Sequence, residues 1–250
     1  MKITFIGSGS AFTTDNYQSN MLIEKDEQLL LVDCGSDIRF SLNSVGLSLS
    51  DITDVYISHL HADHVGGLEG LGFCTLFNPN CPKPKLYINR QMAGQLWSSV
   101  LSGGMASIQC DVADLETYFS VKKIQPNGKF TWANVDFSIV QTIHVYDGLA
   151  IKPSYGLMFQ GDHDRVFITT DTQYAPEQLK DFYNMADVIF HDCETSQFPS
   201  RVHAHYNHLV ELPDDVRAKM WLYHYNPGQL PDAKADGFLG FIKKGDSFQL

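Results

Sequence analysis

Three histidines and an aspartate are crowded into six residues, directly after a short apolar run, in the segment VYISHLHADHVGGL. A strand that ends at Ser58 would bring the next residues to a sheet edge, where alternate side chains point the same way. His59 and His61 could then bind one metal ion, and Asp63 and His64 a second. Imidazole and carboxylate groups suit Zn²⁺, and also Mn²⁺ or Fe. A solvated histidine-rich loop and a single regulatory metal site are the alternatives, but this density of ligand types after a strand favours a metal centre.

Three isolated residues further along the chain extend the set of candidate ligands. His144 follows the strand-like segment VDFSIVQTI, Asp171 follows RVFITT, and His224 follows KMWLY. Each lies where an apolar run stops, which is where a sheet presents side chains to an edge cleft. Taken singly, each is more often structural. Taken together with the first cluster they predict a dinuclear site, with His59, His61 and His144 for one ion, Asp63, His64 and His224 for the other, and Asp171 bridging.

Short strands followed by helices occur twice along the chain, and this repetition predicts the fold. The predicted strands are Lys2–Ile6, Ser19–Glu24, Gln28–Val32, Asp54–Ser58 and Lys85–Asn89, then Tyr118–Ile124, Val135–Thr142, Ser154–Gln160, Arg165–Thr170 and Val188–His191. Helices are predicted at Asp37–Val45, after Asp63, near Arg90–Leu101 and at Tyr174–Met185. The pattern indicates an α/β protein with two packed sheets and helices outside, a four-layer αββα sandwich formed by a single domain over residues 1–250.

The charge balance limits the partners that the chain can bind. Eighteen basic and 29 acidic residues give a net charge of −11. A protein that grips a long polyanion normally displays clustered Lys and Arg, so extended RNA or DNA is disfavoured. A small phosphate ester stays possible, because bound cations supply positive charge locally.

The sequence gives no sign of a membrane segment or of secretion. No apolar run approaches the roughly 18 residues of a membrane span, and the first residues do not resemble a signal peptide. The five cysteines are odd in number and form no CxxC pair, which fits reduced thiols. We therefore expect a cytoplasmic location, which would be the host cytoplasm if the gene is carried by a phage.

The motifs HLHADH at His59–His64, TTDT around Asp171 and LYHY around His224, together with His144, resemble the metallo-β-lactamase superfamily. The similarity covers essentially the whole chain and lies in the phosphodiesterase branch close to ribonuclease Z. It implies the αββα fold, two divalent ions that are zinc or similar, and the ligand assignment given above. It also implies that Asp33, in LLVDCG, steadies the metal loop through a histidine ring; a simple turn residue before Gly35 is the alternative.

The same branch carries a proton-handling histidine in a loop between the bridging aspartate and the last histidine. Here that region reads FHDCETSQFPSRVHAHYNHL. Its register implies His203 first and His205 second as the general acid for the departing alkoxide, with Asp192 or Glu194 orienting it. Asp63 is then both a ligand and the group that orients the attacking hydroxide.

Smaller motifs resemble the phage-encoded anti-Pycsar phosphodiesterases and their bacterial relatives. These motifs are LSGGM at 101–105, DCE at 192–194 and VHAHYNHLVELP at 202–213. The resemblance implies hydrolysis of 3′,5′-cyclic nucleotides, including cCMP and cUMP, to 5′-monophosphates, and so the removal of an antiviral second messenger. It also implies a homodimer with a cyclic mononucleotide as substrate.

Two other functions stay open at this point. A ribonuclease Z-like enzyme that cuts RNA 3′ ends would need a basic arm, but the segment Trp97–Tyr118 is acidic. A protein that sequesters a nucleotide without hydrolysing it would use the same ligands. Hydrolysis of β-lactams, lactones or thioesters also remains open, because the fold alone does not choose the electrophile.

Overall fold

Two seven-stranded sheets form the middle of the computed structural model, which describes residues 1–250. The strands are β1 (Lys2–Gly7), β2 (Asn20–Lys25), β3 (Gln28–Val32), β4 (Asp54–Ile57), β5 (Lys85–Asn89), β6 (Ser107–Ile108), β7 (Asp111–Val112), β8 (Ser120–Ile124), β9 (Lys129–Trp132), β10 (Val135–Tyr146), β11 (Ile151–Gln160), β12 (Arg165–Ile168), β13 (Val188–Asp192), β14 (Met220–Tyr223), β15 (Gly240–Phe241) and β16 (Ser247–Gln249). The helices are α1 (Ile38–Ser44), α2 (Ala62–Val65), α3 (Leu68–Phe77), α4 (Arg90–Gln95), α5 (Ser102–Met105), α6 (Leu115–Tyr118), α7 (Pro176–Met185), α8 (Tyr206–Leu209) and α9 (Asp214–Arg217). A short 3₁₀ turn spans Leu49–Asp51, and a π-helical segment, Leu96–Leu101, joins α4 to α5.

Each sheet combines antiparallel and parallel strands. The first has the order β16-β1-β2-β3-β4-β5-β8, and the second β15-β14-β13-β12-β11-β10-β9. Strands β3, β4, β5 and β8 are parallel neighbours, and so are β12, β13, β14 and β15. The carboxyl ends of parallel strands meet at one sheet edge, which is where open α/β sheets bind ligands.

The two sheets pack face to face through aromatic side chains. The Phe5 ring lies 5.2 Å from that of Phe190 and 5.4 Å from that of Tyr223, which joins β1 to β13 and β14. The Tyr56 hydroxyl donates to the carbonyl of Tyr155 at 2.7 Å, a bond between β4 and β11. A second apolar cluster packs α7 and α8 on the other face of the second sheet. The predicted αββα sandwich is thus confirmed.

Most predicted elements are present, and the main differences lie in the second sheet. Strand β10 runs on to Tyr146 and contains His144, whereas the prediction stopped at Thr142. Thr142 pairs with Ser154 and Val145 with Lys152, so two residues of β10 lie opposite Pro153. This β-bulge breaks the period of two on which the prediction rested. Strand β12 ends at Ile168, two residues earlier than predicted.

No helix of the structure combines the length and the hydropathy that a membrane crossing requires.

Candidate metal centre

Five strand ends converge at one edge of the sandwich, and each contributes a polar side chain. Asp33 follows β3 and His59 lies just beyond β4, both in the first sheet. Asp171 lies beyond β12, Asp192 ends β13, and His224 follows β14 in the second sheet. All five side chains are buried. The convergence of parallel strand ends therefore builds a polar cluster at the bottom of the cleft between the sheets.

One group of potential ligands consists of His59, His61, His144 and Asp171. Their ligand atoms all lie within 4.8 Å of one another. The Nδ1 atom of His61 lies 3.0 Å from Nε2 of His59 and 3.0 Å from Nε2 of His144. The carboxylate of Asp171 is 3.5 Å from Nε2 of His59 and 3.6 Å from Nε2 of His144. Four donor atoms thus face one point, which is the arrangement that a divalent ion requires.

A second group consists of Asp63, His64, Asp171 and His224. Nε2 of His64 lies 3.2 Å from Asp63 Oδ2 and 3.3 Å from Asp171 Oδ2. Nε2 of His224 lies 3.4 Å and 3.7 Å from the same two oxygens. Asp171 belongs to both groups. The structure therefore brings all seven residues of the predicted ligand set together, in the predicted partition.

The donor set fits a bound cation. Both carboxylate oxygens of Asp171 and Nε2 of His64 are buried and have no hydrogen-bond partner. Buried polar atoms are normally paired, so these orphaned atoms need a partner of another kind. Burial lowers the pKa of His59 well below its usual range and that of His144 to about 4, so both imidazoles are neutral at pH 7. Neutral imidazole is the form that binds a metal ion.

The charges around His64 also fit a bound cation. Burial alone would lower the pKa of His64, but the carboxylates of Asp171, Asp63 and Asp33 outweigh it and raise that pKa well above its usual range. The protein thus surrounds one imidazole with three acidic groups. A divalent ion would supply the positive charge that the proton otherwise provides.

The ligand rings are oriented by groups behind them. The Nδ1–H of His64 donates to Asp33 at 2.8 Å, and Asp33 also accepts from the backbone N–H and hydroxyl of Ser58 at 2.8 and 2.7 Å. The Nδ1–H of His144 donates to the carbonyl of Val202 at 2.8 Å. These bonds leave Nε2 of each ring facing the cluster, as metal-binding histidines require. Asp33 makes the contact that the sequence resemblance implied.

Three residues at these strand ends have a left-handed backbone, although none of them is glycine. The φ angles are 62° at Asp33, 51° at Thr170 and 65° at His224. Such conformations cost free energy and persist where surrounding contacts fix them, often at functional sites. The N–H of His224, for example, donates to the carbonyl of Ser8 at 2.7 Å. No pattern in the sequence reveals these turns.

His203 lies against the cluster. Its Nδ1–H donates to Asp192 at 2.8 Å, and its ring stacks on His224 with centroids 4.6 Å apart. Burial alone would lower the pKa of His203, but the Asp192 carboxylate outweighs burial and raises it to about 9. Asp192 also accepts from the N–H of Thr172, the residue after Asp171, at 2.8 Å. One carboxylate therefore ties His203 to the segment that carries the shared ligand.

The structure does not place His205, the second candidate for the acid, at the cluster. Its Nε2 contacts the carbonyl of Ser196 at 3.0 Å, and its Nδ1 accepts from the N–H of Asn207 at 3.2 Å, where it caps α8. Both ring nitrogens are thus engaged with the backbone. Glu194 does not orient a histidine either: its carboxylate accepts from the N–H of Ser200 at 2.9 Å and closes the loop. Of the two predicted orienting residues, the structure places Asp192 in that position.

A pocket of about 210 Å³ opens beside the first group of ligands. His59, His61 and His144 are part of its lining, and the sequence prediction named none of its other residues. A larger cavity of about 850 Å³ lies near Met1 and Lys25 and contains no predicted site residue.

The two facing sheets and the shared His/Asp cluster define a protein of the metallo-β-lactamase fold with a candidate metal centre. Solved structures with this architecture align over nearly the whole chain. The metallo-β-lactamase-fold protein YhfI from Bacillus subtilis has a TM-score of 0.75 and 19% identity, covering 99% of this chain and 98% of that one. A diphosphatase of the PhnP family has a TM-score of 0.74 and 20% identity, covering 100% and 97%. Zinc-bound PqqB from Methylobacterium extorquens has a TM-score of 0.73 and 15% identity, covering 100% of both. At these identities the likeness concerns the fold.

Sequence comparison gives the family. The model of the Anti-Pycsar protein Apyc1 family matches residues 1–248. The anti-Pycsar protein Apyc1 of Paenibacillus harenae is 37% identical over 230 residues, which cover 90% of each chain. That of Saccharibacillus brassicae is 31% identical over 248 residues and 98% of each chain, and that of Bacillus phage 010DV004 is 29% identical over 100% of this chain and 98% of its own. The chain belongs to the Anti-Pycsar protein Apyc1 family, which confirms the resemblance seen in the sequence.

Proposed function

We propose that the protein hydrolyses 3′,5′-cyclic nucleotides, including cCMP and cUMP, to 5′-monophosphates and thereby disables cyclic-nucleotide (Pycsar) signalling against phages. The observation that carries this proposal is the membership of the anti-Pycsar family combined with two ligand groups that share Asp171. We assign two divalent ions to the site, zinc first and manganese or iron as alternatives, because imidazole and carboxylate ligands suit all three.

The ligand groups would hold the ions in the predicted partition. Two bound ions would supply hydroxide near neutral pH and offset the charge on the phosphoryl oxygens. Asp63 orients the attacking oxygen. Burial alone would raise the pKa of Asp63, but His64 and His224 outweigh it and hold that pKa below its usual range, so Asp63 stays an acceptor.

His203 is the proton donor in this proposal. Its Nδ1–H is held by Asp192, which leaves Nε2 as the atom that gives its proton to the departing 3′ oxygen. With a pKa of about 9, the ring is protonated at neutral pH. A general acid of this kind is needed because an alkoxide is a poor leaving group until it is protonated.

The charge distribution supports a compact substrate. The segment Trp97–Tyr118, where a ribonuclease Z-like enzyme would carry its basic arm, contains no Lys or Arg and adds three acidic residues. It folds into the π-helical segment, α5, the β6–β7 hairpin and α6. With a net charge of −11, the surface does not favour a long nucleic acid. We further propose a homodimer in the cytoplasm that is built from one domain per chain.

A substrate panel tests the proposal. Purified protein is incubated with cCMP, cUMP, cAMP, cGMP, a cyclic dinucleotide and a transfer RNA precursor, with and without chelator, and the products are separated. We expect 5′-monophosphates from the cyclic mononucleotides and no product with chelator. A bound but intact nucleotide would instead select sequestration, and cleavage of the precursor would select RNA 3′-end processing. Sedimentation of the same preparation measures the oligomeric state.

A further inference from the structure

The pocket beside the first ligand group has three walls that come from different parts of the fold. The first is the loop after β4, with His59 and His61. The second is the bulged region of β10 and β11, with His144 and Val145. The third is helix α4, which contributes Met92 and Gln95. Because three candidate metal ligands form part of its lining, any molecule in this pocket lies directly beside the proposed reaction centre.

Two irregular features of the backbone shape this pocket. The β-bulge sets Ile143 and His144 opposite Pro153, and it places Val145 directly across from Lys152 at the pocket wall. The π-helical segment begins at Leu96, immediately after Gln95. Bulges re-aim side chains next to active sites, and π-helical turns occur frequently at functional sites. The bulge therefore falls on residues that line the cavity, and the π-helical segment begins next to one of them.

The size and chemistry of the pocket suit a single planar ring. Its volume of about 210 Å³ lies below the roughly 300–1,000 Å³ of pockets that enclose a whole drug-sized ligand. Met92, Val145 and Pro153 offer apolar surface. Lys152 already pairs with Asp147 at 3.2 Å, and its side chain is 62% exposed. Gln95 is therefore the neutral polar group that can hydrogen-bond to a ring in this pocket.

We propose that this pocket takes the nucleobase of the cyclic nucleotide and that Gln95 is a specificity-determining residue that contacts the exocyclic group at position 4 of a pyrimidine. This inference rests on the proposed function. A glutamine amide carries both an acceptor oxygen and a donor NH₂ group. It can accept from the 4-amino group of cytosine or, after rotation, donate to the 4-oxygen of uracil. The wild-type protein is therefore expected to hydrolyse cCMP and cUMP with similar kcat/KM.

Opposite substitutions at Gln95 test this contact. A carboxylate only accepts and an ammonium only donates, so Gln95→Glu should favour cCMP and Gln95→Lys should favour cUMP. We expect the kcat/KM ratio of cCMP to cUMP to rise about tenfold in the first variant and to fall about tenfold in the second. Both substrates carry the same charge, so the ratio removes the general effect of the new charge on binding.

Gln91→Glu and Gln91→Lys are the matched controls. Gln91 lies one turn earlier on α4, is exposed, and does not line the pocket. These variants should leave the ratio at the wild-type value. The inference would be overturned if the kcat/KM ratio shifted equally in the Gln91 variants. It would also be overturned if both Gln95 variants hydrolysed both nucleotides with the wild-type ratio. Either result would leave the proposed function unaffected. A wild-type protein that hydrolyses neither nucleotide would overturn both.

Discussion

At the scale of single residues, the cluster depends on a carboxylate that the polypeptide itself does not satisfy. Asp171 is 1% exposed, and neither of its oxygens has a hydrogen-bond partner. An isolated buried carboxylate would be strongly destabilising, whereas one held between two cations is not. Nitrogens of four candidate histidine ligands lie 3.3 to 3.7 Å from Oδ2, which is the spacing of ligands around a shared centre.

We assign the pH dependence of the proposed turnover to His203. Its pKa of about 9 lies above the ordinary value, so the protonated acid is present at neutral pH and is lost as the pH rises through about 9. We expect kcat for a cyclic nucleotide to fall over that range. His203→Ala should lower kcat by about 10²–10⁴ and remove this limb of the profile. Asp192→Asn removes the charge that raises the pKa of His203, so the fall in kcat should occur at lower pH.

A second substrate separates proton donation from other roles of His203. The leaving group of bis(4-nitrophenyl) phosphate departs without being protonated, so His203→Ala should affect it far less than it affects cCMP. An equal loss on both substrates would show that His203 does not act as the acid.

At the scale of elements, the loop between β13 and α8 connects the proposed acid, His203, to the proposed metal ligand His144. It carries His203, and its Val202 carbonyl accepts from the ring of His144. Glu194 closes the loop because its carboxylate accepts from the N–H and the hydroxyl of Ser200. A single loop conformation thus orients groups on both sides of the proposed centre.

Loosening this loop should affect turnover and metal binding together. Glu194→Gln replaces one acceptor oxygen with a donor NH₂, which faces the N–H of Ser200. We expect kcat and the affinity for added Zn²⁺ each to fall about tenfold, as is usual when groups behind metal ligands are changed. Steady-state kinetics and metal titration measure both. Glu211→Gln, on an exposed position, is the control, and unchanged values in Glu194→Gln would contradict this account.

The elements also show where sequence reasoning succeeds and where it stops. Strands β3 and β4 were predicted almost to their ends, because buried apolar runs and turn residues mark them clearly. The extension of β10 past Thr142 was missed because the bulge shifts the register. The short strands β15 and β16 were missed because two or three residues carry no periodicity. The left-handed turn at His224 is set by tertiary contacts, which composition does not record.

At the scale of the whole molecule, the seven proposed ligands were found from the sequence because chemistry and chain position coincide. Their residue types are those that bind zinc. All but one follow an apolar run that ends at the cleft, and the exception, His144, lies at the bulge within β10. The choice between His203 and His205 could not be settled in the same way. They are two residues apart in a loop. Only the folded chain shows that His203 is bound by Asp192, whereas His205 is bound by the backbone.

Removal of metal should destabilise the whole protein. Without a cation, the buried carboxylates of Asp63 and Asp171 face each other across His64 and His224. Ions that bind only the folded state stabilise it by mass action, by about 4 kcal/mol at a thousand times Kd. For a chain of this size the loss corresponds to a fall in Tm of roughly 10 °C. Thermal unfolding before and after dialysis against chelator measures it, and added Zn²⁺ should restore the original Tm. In the Asp171→Ala variant, which lacks the shared candidate ligand, chelator should change the Tm much less. If chelator leaves the Tm of the wild-type protein unchanged, that result would contradict a metal centre at this edge of the sheets.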